Sequence, residues 1–251
     1  MAGGVESQWS IRVFERFERS VVRLNHGGLF LGTGFVVYWD ESRACLIITC
    51  HHVVSRVPMS EILDAYFSGN TIPSAVRIVR RGNDIKDLAL LWVQRMSSQV
   101  TRPPVVMDFF QHPVAPGWDV VLLGYNVLRN NFILEPSTWS GRIISPSTNT
   151  HIKYSCTSTG GMSGSPIVLA GVNKVVGVHF MSSGSTGEQL EHWMLAWGCN
   201  MKGGFVCREQ LEHWMRTWGC KMKVIGDDRG CNLHSSVVLD FLASCSSMLY
   251  C

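Results

Sequence analysis

The spacing of the hydrophobic positions changes once along the chain, from a helical to a strand-like period. Residues 9–19 carry apolar side chains at helical spacing, with Arg and Glu between them, at Trp9, Val13, Phe14 and Phe17. This pattern predicts one amphipathic N-terminal helix. From Val21 onward the apolar runs are short and are separated by Gly, Asn and Ser, which is typical of β-strands joined by turns.

The predicted strands form two sets on either side of a connector that contains Pro103, Pro104, Pro113 and Pro116. The first set is Ser20–Leu24, Phe30–Tyr38, Cys45–Thr49, Val76–Val79 and Leu88–Val93. The second set is Val120–Leu123, Phe132–Leu134, Gly141–Ile144, Ile152–Ser155, Pro166–Leu169 and Val175–Phe180. Two sets of this size predict an all-β protein built from two closed or sandwiched β-units.

A tandem repeat follows the second set of strands. The sequence EQLEHWMLAWGCNMK at 188–202 recurs as EQLEHWMRTWGCKMK at 209–223, with apolar residues at helical spacing and a glycine where a helix C-cap belongs. We therefore predict two C-terminal helical segments, of which the first is an inserted helix or an irregular excursion. The expected domains are the helix 1–19, β-units at 20–110 and 111–223, and a tail at 224–251.

Composition narrows the class of protein. Of 251 residues, 46% are hydrophobic and 16% are charged, which excludes a disordered chain and a charged coiled coil. The net charge of +3 is too small to indicate a nucleic-acid partner, and no apolar run reaches the roughly 18 residues that cross a membrane. Nine cysteines, an odd number, and no recognisable secretory signal favour reduced thiols and a cytoplasmic location. The sequence leaves the oligomeric state open.

Three segments carry candidate chemistry, in the order His, Asp, Ser. His51 and His52 follow a predicted buried strand, Asp87 precedes the apolar run LALLWV, and Ser163 lies between glycines in GMSGSP. Serine needs a positioned base to act as a nucleophile, histidine can be that base, and a carboxylate can orient the imidazole. The N–H groups of Gly161 and Ser163 can stabilise a developing oxyanion. Each segment alone is common in ordinary loops and strands, but together they predict hydrolysis by an activated serine.

The motifs GTGFVV…TCHHVV, DLALLWV and GMSGSPIV…VVGVHF resemble the three signature blocks of trypsin-like serine proteases. The most similar branches are the Deg/HtrA-type proteases and the bacterial glutamyl endopeptidases, and the resemblance covers about residues 20–215. It implies two perpendicular six-stranded β-barrels with a catalytic triad in the cleft between them. It also implies a polypeptide substrate and no cofactor.

The same resemblance implies a role for each candidate residue. The general base is His52, which Val-Val follows, rather than His51. The orienting acid is Asp87, which precedes Leu-Ala, rather than Asp84. The nucleophile is Ser163, and the backbone N–H groups beside it form the oxyanion hole.

Specificity is expected to depend on His179 in the Gly-x-His sequence. Glutamyl endopeptidases and picornaviral-type proteases have a similar histidine, which implies cleavage after Glu or Gln, with Ser158 and Thr159 as further substrate contacts. The alternative is that His179 only satisfies a backbone group of the barrel. A protonated imidazole favours a carboxylate, so a preference for Glu is expected to strengthen as the pH falls towards about 6.5.

Several features keep other functions open. Met162 and Ser165 depart from the family pattern, which leaves an inactive protease-like binding module possible. The Gly-x-His sequence also suits a polyprotein-processing protease, and the Trp-rich repeat suits a non-enzymatic interaction protein. His192 and Cys199, like their repeat counterparts, match no compact zinc pattern, so no metal site is predicted.

Overall fold

The computed structural model describes residues 8–82, 87–126, 135–145, 151–180 and 192–193. Its helices are α1 (Gln8–Phe17), followed by a 3₁₀ turn (Glu18–Ser20), and α2 (His51–Val54). The first six strands are β1 (Val21–His26), β2 (Leu29–Trp39), β3 (Cys45–Thr49), β4 (Ile62–Phe67), β5 (Ser74–Arg81) and β6 (Ala89–Val93). The next six are β7 (Asp119–Gly124), β8 (Ser137–Ser145), β9 (His151–Tyr154), β10 (Pro166–Leu169), β11 (Lys174–His179) and β12 (His192–Trp193).

These strands form two closed barrels, in the orders β1-β2-β3-β6-β5-β4 and β10-β11-β12-β9-β8-β7. The all-β, two-barrel prediction is therefore confirmed. In the first barrel, the strand β4 was not predicted, because its inward residues Leu63, Ala65 and Phe67 alternate with less buried ones and so form no continuous apolar run. The predicted strand Phe132–Leu134 lies outside the described residues.

The strand that closes the second barrel comes from the first copy of the repeat. His192–Trp193 pairs with Val178–His179 of β11 on one side and with His151–Ile152 of β9 on the other. The prediction of a helix is wrong at these two residues, because the two open strand edges supply hydrogen bonds that helical spacing cannot anticipate. The alternative final strand, residues 203–207, and the rest of the repeat lie outside the described residues.

The N-terminal helix is confirmed, and it packs on the second barrel. Val13 and Phe17 on one face of α1 are buried, and the helix lies against β7 and β8. The Ser10 hydroxyl hydrogen-bonds to the Ser140 hydroxyl of β8. Strand β1 begins at Val21, directly after the 3₁₀ turn. Helix α1 therefore packs on the second barrel, while the chain that follows it enters the first barrel.

The proline-rich connector is hydrogen-bonded to both barrels. Met107 N donates to Val36 O of β2 at 3.0 Å, and Val175 N of β11 donates to Asp108 O at 2.8 Å. Phe110 N then donates to Val175 O at 2.8 Å. The connector is therefore hydrogen-bonded to a strand of each barrel and helps to hold the two barrels together. Within the part of the chain that the structure describes, no helix is long and apolar enough to span a membrane.

Candidate active site

The first barrel supplies a paired histidine and carboxylate. Strand β3 ends at Thr49 and α2 begins at His51, so His52 lies on a single helical turn at the barrel edge. His52 N donates to Asp87 Oδ1 at 2.8 Å, and His52 Nδ1 lies 2.6 Å from Asp87 Oδ2. A carboxylate only accepts hydrogen bonds, so Nδ1 carries the proton and Nε2 is left as the basic nitrogen.

The two side chains of this pair differ in burial. The Asp87 side chain is 9% exposed, whereas that of His52 is 45% exposed. The carboxylate is therefore fixed and shielded while the imidazole faces solvent. The residue that makes the pair is His52 rather than His51, as the resemblance implied, and Asp84 lies outside the described residues.

The second barrel supplies the loop that carries Ser163. Gly161 and Gly164 flank the serine at φ +93° and +89°, in the left-handed region that favours glycine. The Ser163 hydroxyl is half-buried and donates to Phe180 O at 3.5 Å, a long hydrogen bond. Among the described hydrogen bonds, none joins Ser163 to His52.

Gly164 has no room for a side chain. A Cβ there would lie 2.0 Å from Thr33 O of β2 and 2.4 Å from Thr49 Oγ1 of β3. The backbone of the Ser163 loop therefore touches the first barrel directly. Only glycine satisfies both the positive φ and this close approach.

The two departures from the family pattern are buried in the second barrel. Met162 is 0% exposed and packs in the core cluster that includes Tyr154 and Ile167. Ser165 is also 0% exposed, and its carbonyl accepts a hydrogen bond from His179 N at 2.8 Å. The apolar side chain of Met162 thus anchors the loop by packing, where Asp or Asn would need polar partners.

His179 is the last residue of β11 and is only 2% exposed. Its Nδ1 lies 2.9 Å from the Tyr154 hydroxyl of β9. Burial, and to a smaller extent the charge of His52, lowers the pKa of His179 to about 4, and burial raises the pKa of Tyr154. The imidazole is therefore neutral near pH 6.5, so the ordinary pKa assumed for the expected pH dependence is wrong for His179, while the preference for Glu or Gln itself stays a prediction.

The other predicted substrate contacts lie on the segment that leads to Ser163. Ser158 is half-buried and Thr159 is exposed. The Thr159 carbonyl accepts a hydrogen bond from Met162 N at 3.4 Å, which shapes the turn before Ser163. Contact of either hydroxyl with a substrate stays a prediction.

Cys50 is a buried thiol that lies beside the His52–Asp87 pair. Cys50 Sγ donates to His179 O at 3.2 Å, and burial, followed by the charge of Asp87, raises the pKa of this thiol. Cys50, His52 and Asp87 have potential metal-ligand atoms within 4.8 Å of one another. Because a metal ion binds the thiolate form of cysteine, the raised pKa of Cys50 argues against an ion at this position.

Comparison with known proteins decides the family. The family model described as a trypsin-like peptidase domain matches residues 32–178, more than half of the chain and the segment that carries all three candidate groups. The chain belongs to the trypsin-like peptidase family. This trypsin-like peptidase is a serine endopeptidase, and its substrate is a polypeptide. No curated protein matches its sequence.

Solved structures share the fold of this trypsin-like peptidase. The active form of the Rv3671c protease from M. tuberculosis is 23% identical, with a TM-score of 0.54 over 73% of this chain and 79% of that one. A serine endoprotease from Yersinia pestis is 18% identical, with a TM-score of 0.57 over 76% and 64% of the two chains. The HtrA-type protease AlgW, solved with a decapeptide, is 12% identical, with a TM-score of 0.53 over 74% and 63%. The resemblance to HtrA-type proteases is confirmed, and that to glutamyl endopeptidases stays a prediction.

Sequence reasoning missed three residues that touch the candidate groups of this peptidase. They are Thr33, Cys50 and Tyr154, which contact the Ser163 loop, the His179 carbonyl and the His179 ring. Only Thr33 carried a signal, because it stands between two glycines in GTGF at a strand centre. Cys50 and Tyr154 look like ordinary apolar positions of buried strands.

Proposed function

We propose that this trypsin-like peptidase hydrolyses peptide bonds with His52, Asp87 and Ser163 as its catalytic triad. The observation that carries the proposal is the pair of hydrogen bonds from His52, through its backbone N–H and its ring, to one buried carboxylate. A side chain held at two points has a fixed ring orientation, which a general base requires. The glycine-flanked Ser163 loop lies against the same barrel.

The proposed reaction follows from these positions. On substrate binding the Ser163 hydroxyl turns from Phe180 O to His52 Nε2, since hydrogen bonds of a catalytic serine are often loose without substrate. Ser163 Oγ attacks the scissile carbonyl carbon while Nε2 takes its proton, and the N–H groups of Gly161 and Ser163 receive the oxyanion. His52 returns the proton to the leaving amine, and a water then hydrolyses the acyl-enzyme by the same steps. Asp87 stabilises the imidazolium.

For specificity we propose cleavage after Gln or Glu, with His179 as the discriminating contact. The Tyr154 phenol can donate to His179 Nδ1, so the neutral imidazole carries its proton on Nε2, on the side that would meet a substrate oxygen. A neutral imidazole serves an amide and a carboxylate alike, but an amide costs less to desolvate. Gln is therefore expected to exceed Glu between pH 6 and 8, with Ser158 and Thr159 as additional hydroxyl contacts.

A peptide-library profile tests the proposal. Wild type should favour Gln and Glu before the cleaved bond, and Ser163→Ala should cleave nothing. Tyr154→Phe, which removes one hydroxyl, should lower the discrimination for Gln over Leu by about tenfold, because a hydrogen bond to a buried group is worth about 1–3 kcal/mol. A preference of the wild type for Val, Leu or Arg would refute the specificity while leaving the triad intact.

A further inference from the structure

One residue of the first barrel holds two carbonyls of the nucleophile loop. Thr33 Oγ1 donates to Gly161 O at 3.0 Å, and Thr33 N donates to Ser163 O at 2.9 Å. Gly161 and Ser163 are the two residues whose N–H groups form the proposed oxyanion hole. Both bonds cross from β2 of the first barrel to the second barrel.

Thr33 is itself fixed by its surroundings. It is 0% exposed, its hydroxyl accepts a hydrogen bond from Tyr125 N at 3.0 Å, and its carbonyl accepts one from Thr49 Oγ1 at 2.6 Å. The hydroxyl thus donates once and accepts once, which leaves it a single rotamer with both bonds made. A threonine in this state is a rigid support rather than an adaptable contact.

Peptide planarity carries this support to the oxyanion hole. Holding Gly161 O fixes the peptide plane of residues 161–162, and holding Ser163 O fixes that of residues 163–164. The peptide plane of residues 162–163, which carries the Ser163 N–H, lies between these two planes. The plane of residues 160–161, which carries the Gly161 N–H, adjoins the first of them. We propose that Thr33 is a positioning residue that aligns the oxyanion hole from the opposite barrel, an inference that rests on the proposed function.

The test is Thr33→Val, which keeps the shape of the side chain and removes the hydroxyl. Because an oxyanion exists only in the transition state, kcat should fall while KM stays the same. Loss of one oxyanion donor costs about a hundred- to a thousandfold in kcat, so misaligned donors should cost about ten- to a hundredfold. Thr33→Ser keeps the hydroxyl and should retain most of the wild-type kcat.

Ser20→Ala is the matched control. Ser20 is also buried, and its hydroxyl donates to Val105 O at 2.6 Å rather than to Thr33 or to a carbonyl of residues 161–163. It should lower the melting temperature about as much as Thr33→Val and leave kcat near the wild-type value. Equal loss of kcat in both variants, or none in Thr33→Val, would overturn the proposal. If Thr33→Val does not fold, Thr33→Ala carries the same test.

Hydrogen exchange separates this inference from the proposed function. Amides of residues 160–164 should exchange faster in Thr33→Val than in Ser20→Ala, whether or not the enzyme cleaves the peptides offered. A wild type without hydrolysis would contradict the proposed function alone, while faster exchange confined to Thr33→Val would still support the positioning role. Unchanged exchange of this loop in Thr33→Val would refute it.

Discussion

Replacing His179 with Gln should remove a pH-dependent loss of stability. The folded protein holds this buried imidazole neutral down to a pKa of about 4, whereas the unfolded chain takes up the proton near the ordinary value of 6.5. Below pH 6.5 the unfolded state therefore binds more protons than the folded state, so the free energy of unfolding falls as the pH falls. The full loss of stability is reached once the pH lies below about 4, the pKa of His179 in the folded protein.

The size of the effect follows from the two pKa values. Linkage gives about 3 kcal/mol in total, of which about 2 kcal/mol is lost between pH 7 and pH 5. Against a typical unfolding free energy of about 5–15 kcal/mol, this change is measurable. The Gln side chain does not titrate, and the backbone bonds of residue 179 remain.

Urea unfolding at pH 7, 6 and 5 measures this pH-dependent loss of unfolding free energy. The wild type should lose about 2 kcal/mol more than His179→Gln over this range. His112→Gln, at an exposed histidine, is the control for the effect of exchanging His for Gln as such. Parallel pH dependences for wild type and His179→Gln would show that the imidazole is not held neutral, and the account of the specificity pocket would fail with it.

Three further predictions concern the triad, the loop and the repeat. Asp87→Asn should lower kcat/KM by about ten-thousandfold, because an amide disturbs the tautomer of His52; an unchanged rate of peptide cleavage would remove Asp87 from the site. Gly164→Ala should lower the free energy of unfolding by at least about 2 kcal/mol, because its Cβ would lie 2.0 Å from Thr33 O at a φ of +89°; a wild-type melting curve would contradict this. Deleting residues 187–207 leaves the second copy of the repeat to supply the closing strand, so a folded, active enzyme is expected, and loss of folding would show that both copies are needed.

The candidate groups could be predicted because each stands in a recognisable motif, either beside a strand end or in a glycine-rich loop. Asp87 precedes an apolar run, His52 follows one, and Ser163 lies among glycines whose positive φ angles the structure bears out. Local sequence is sufficient for such positions, because chain direction and turn chemistry determine them.

The supporting contacts could not be predicted, because they join distant parts of the chain. Thr33 and Gly161, like Cys50 and His179, are more than a hundred residues apart, and no local pattern specifies that they meet. The strand at His192–Trp193 was missed for the same reason, since the unpaired edges of two other strands determine it. The pKa of His179 likewise depends on burial that only the closed barrel creates.

Labelling with a fluorophosphonate probe tests the central claim most directly. The probe should attach to Ser163 alone, as identified by mass spectrometry of the labelled peptide. Labelling should be lost in Ser163→Ala and slowed by about a hundred- to ten-thousandfold in His52→Ala, because general-base assistance has that magnitude. Attachment at another serine, or no attachment to the folded wild type, would contradict a triad of His52, Asp87 and Ser163.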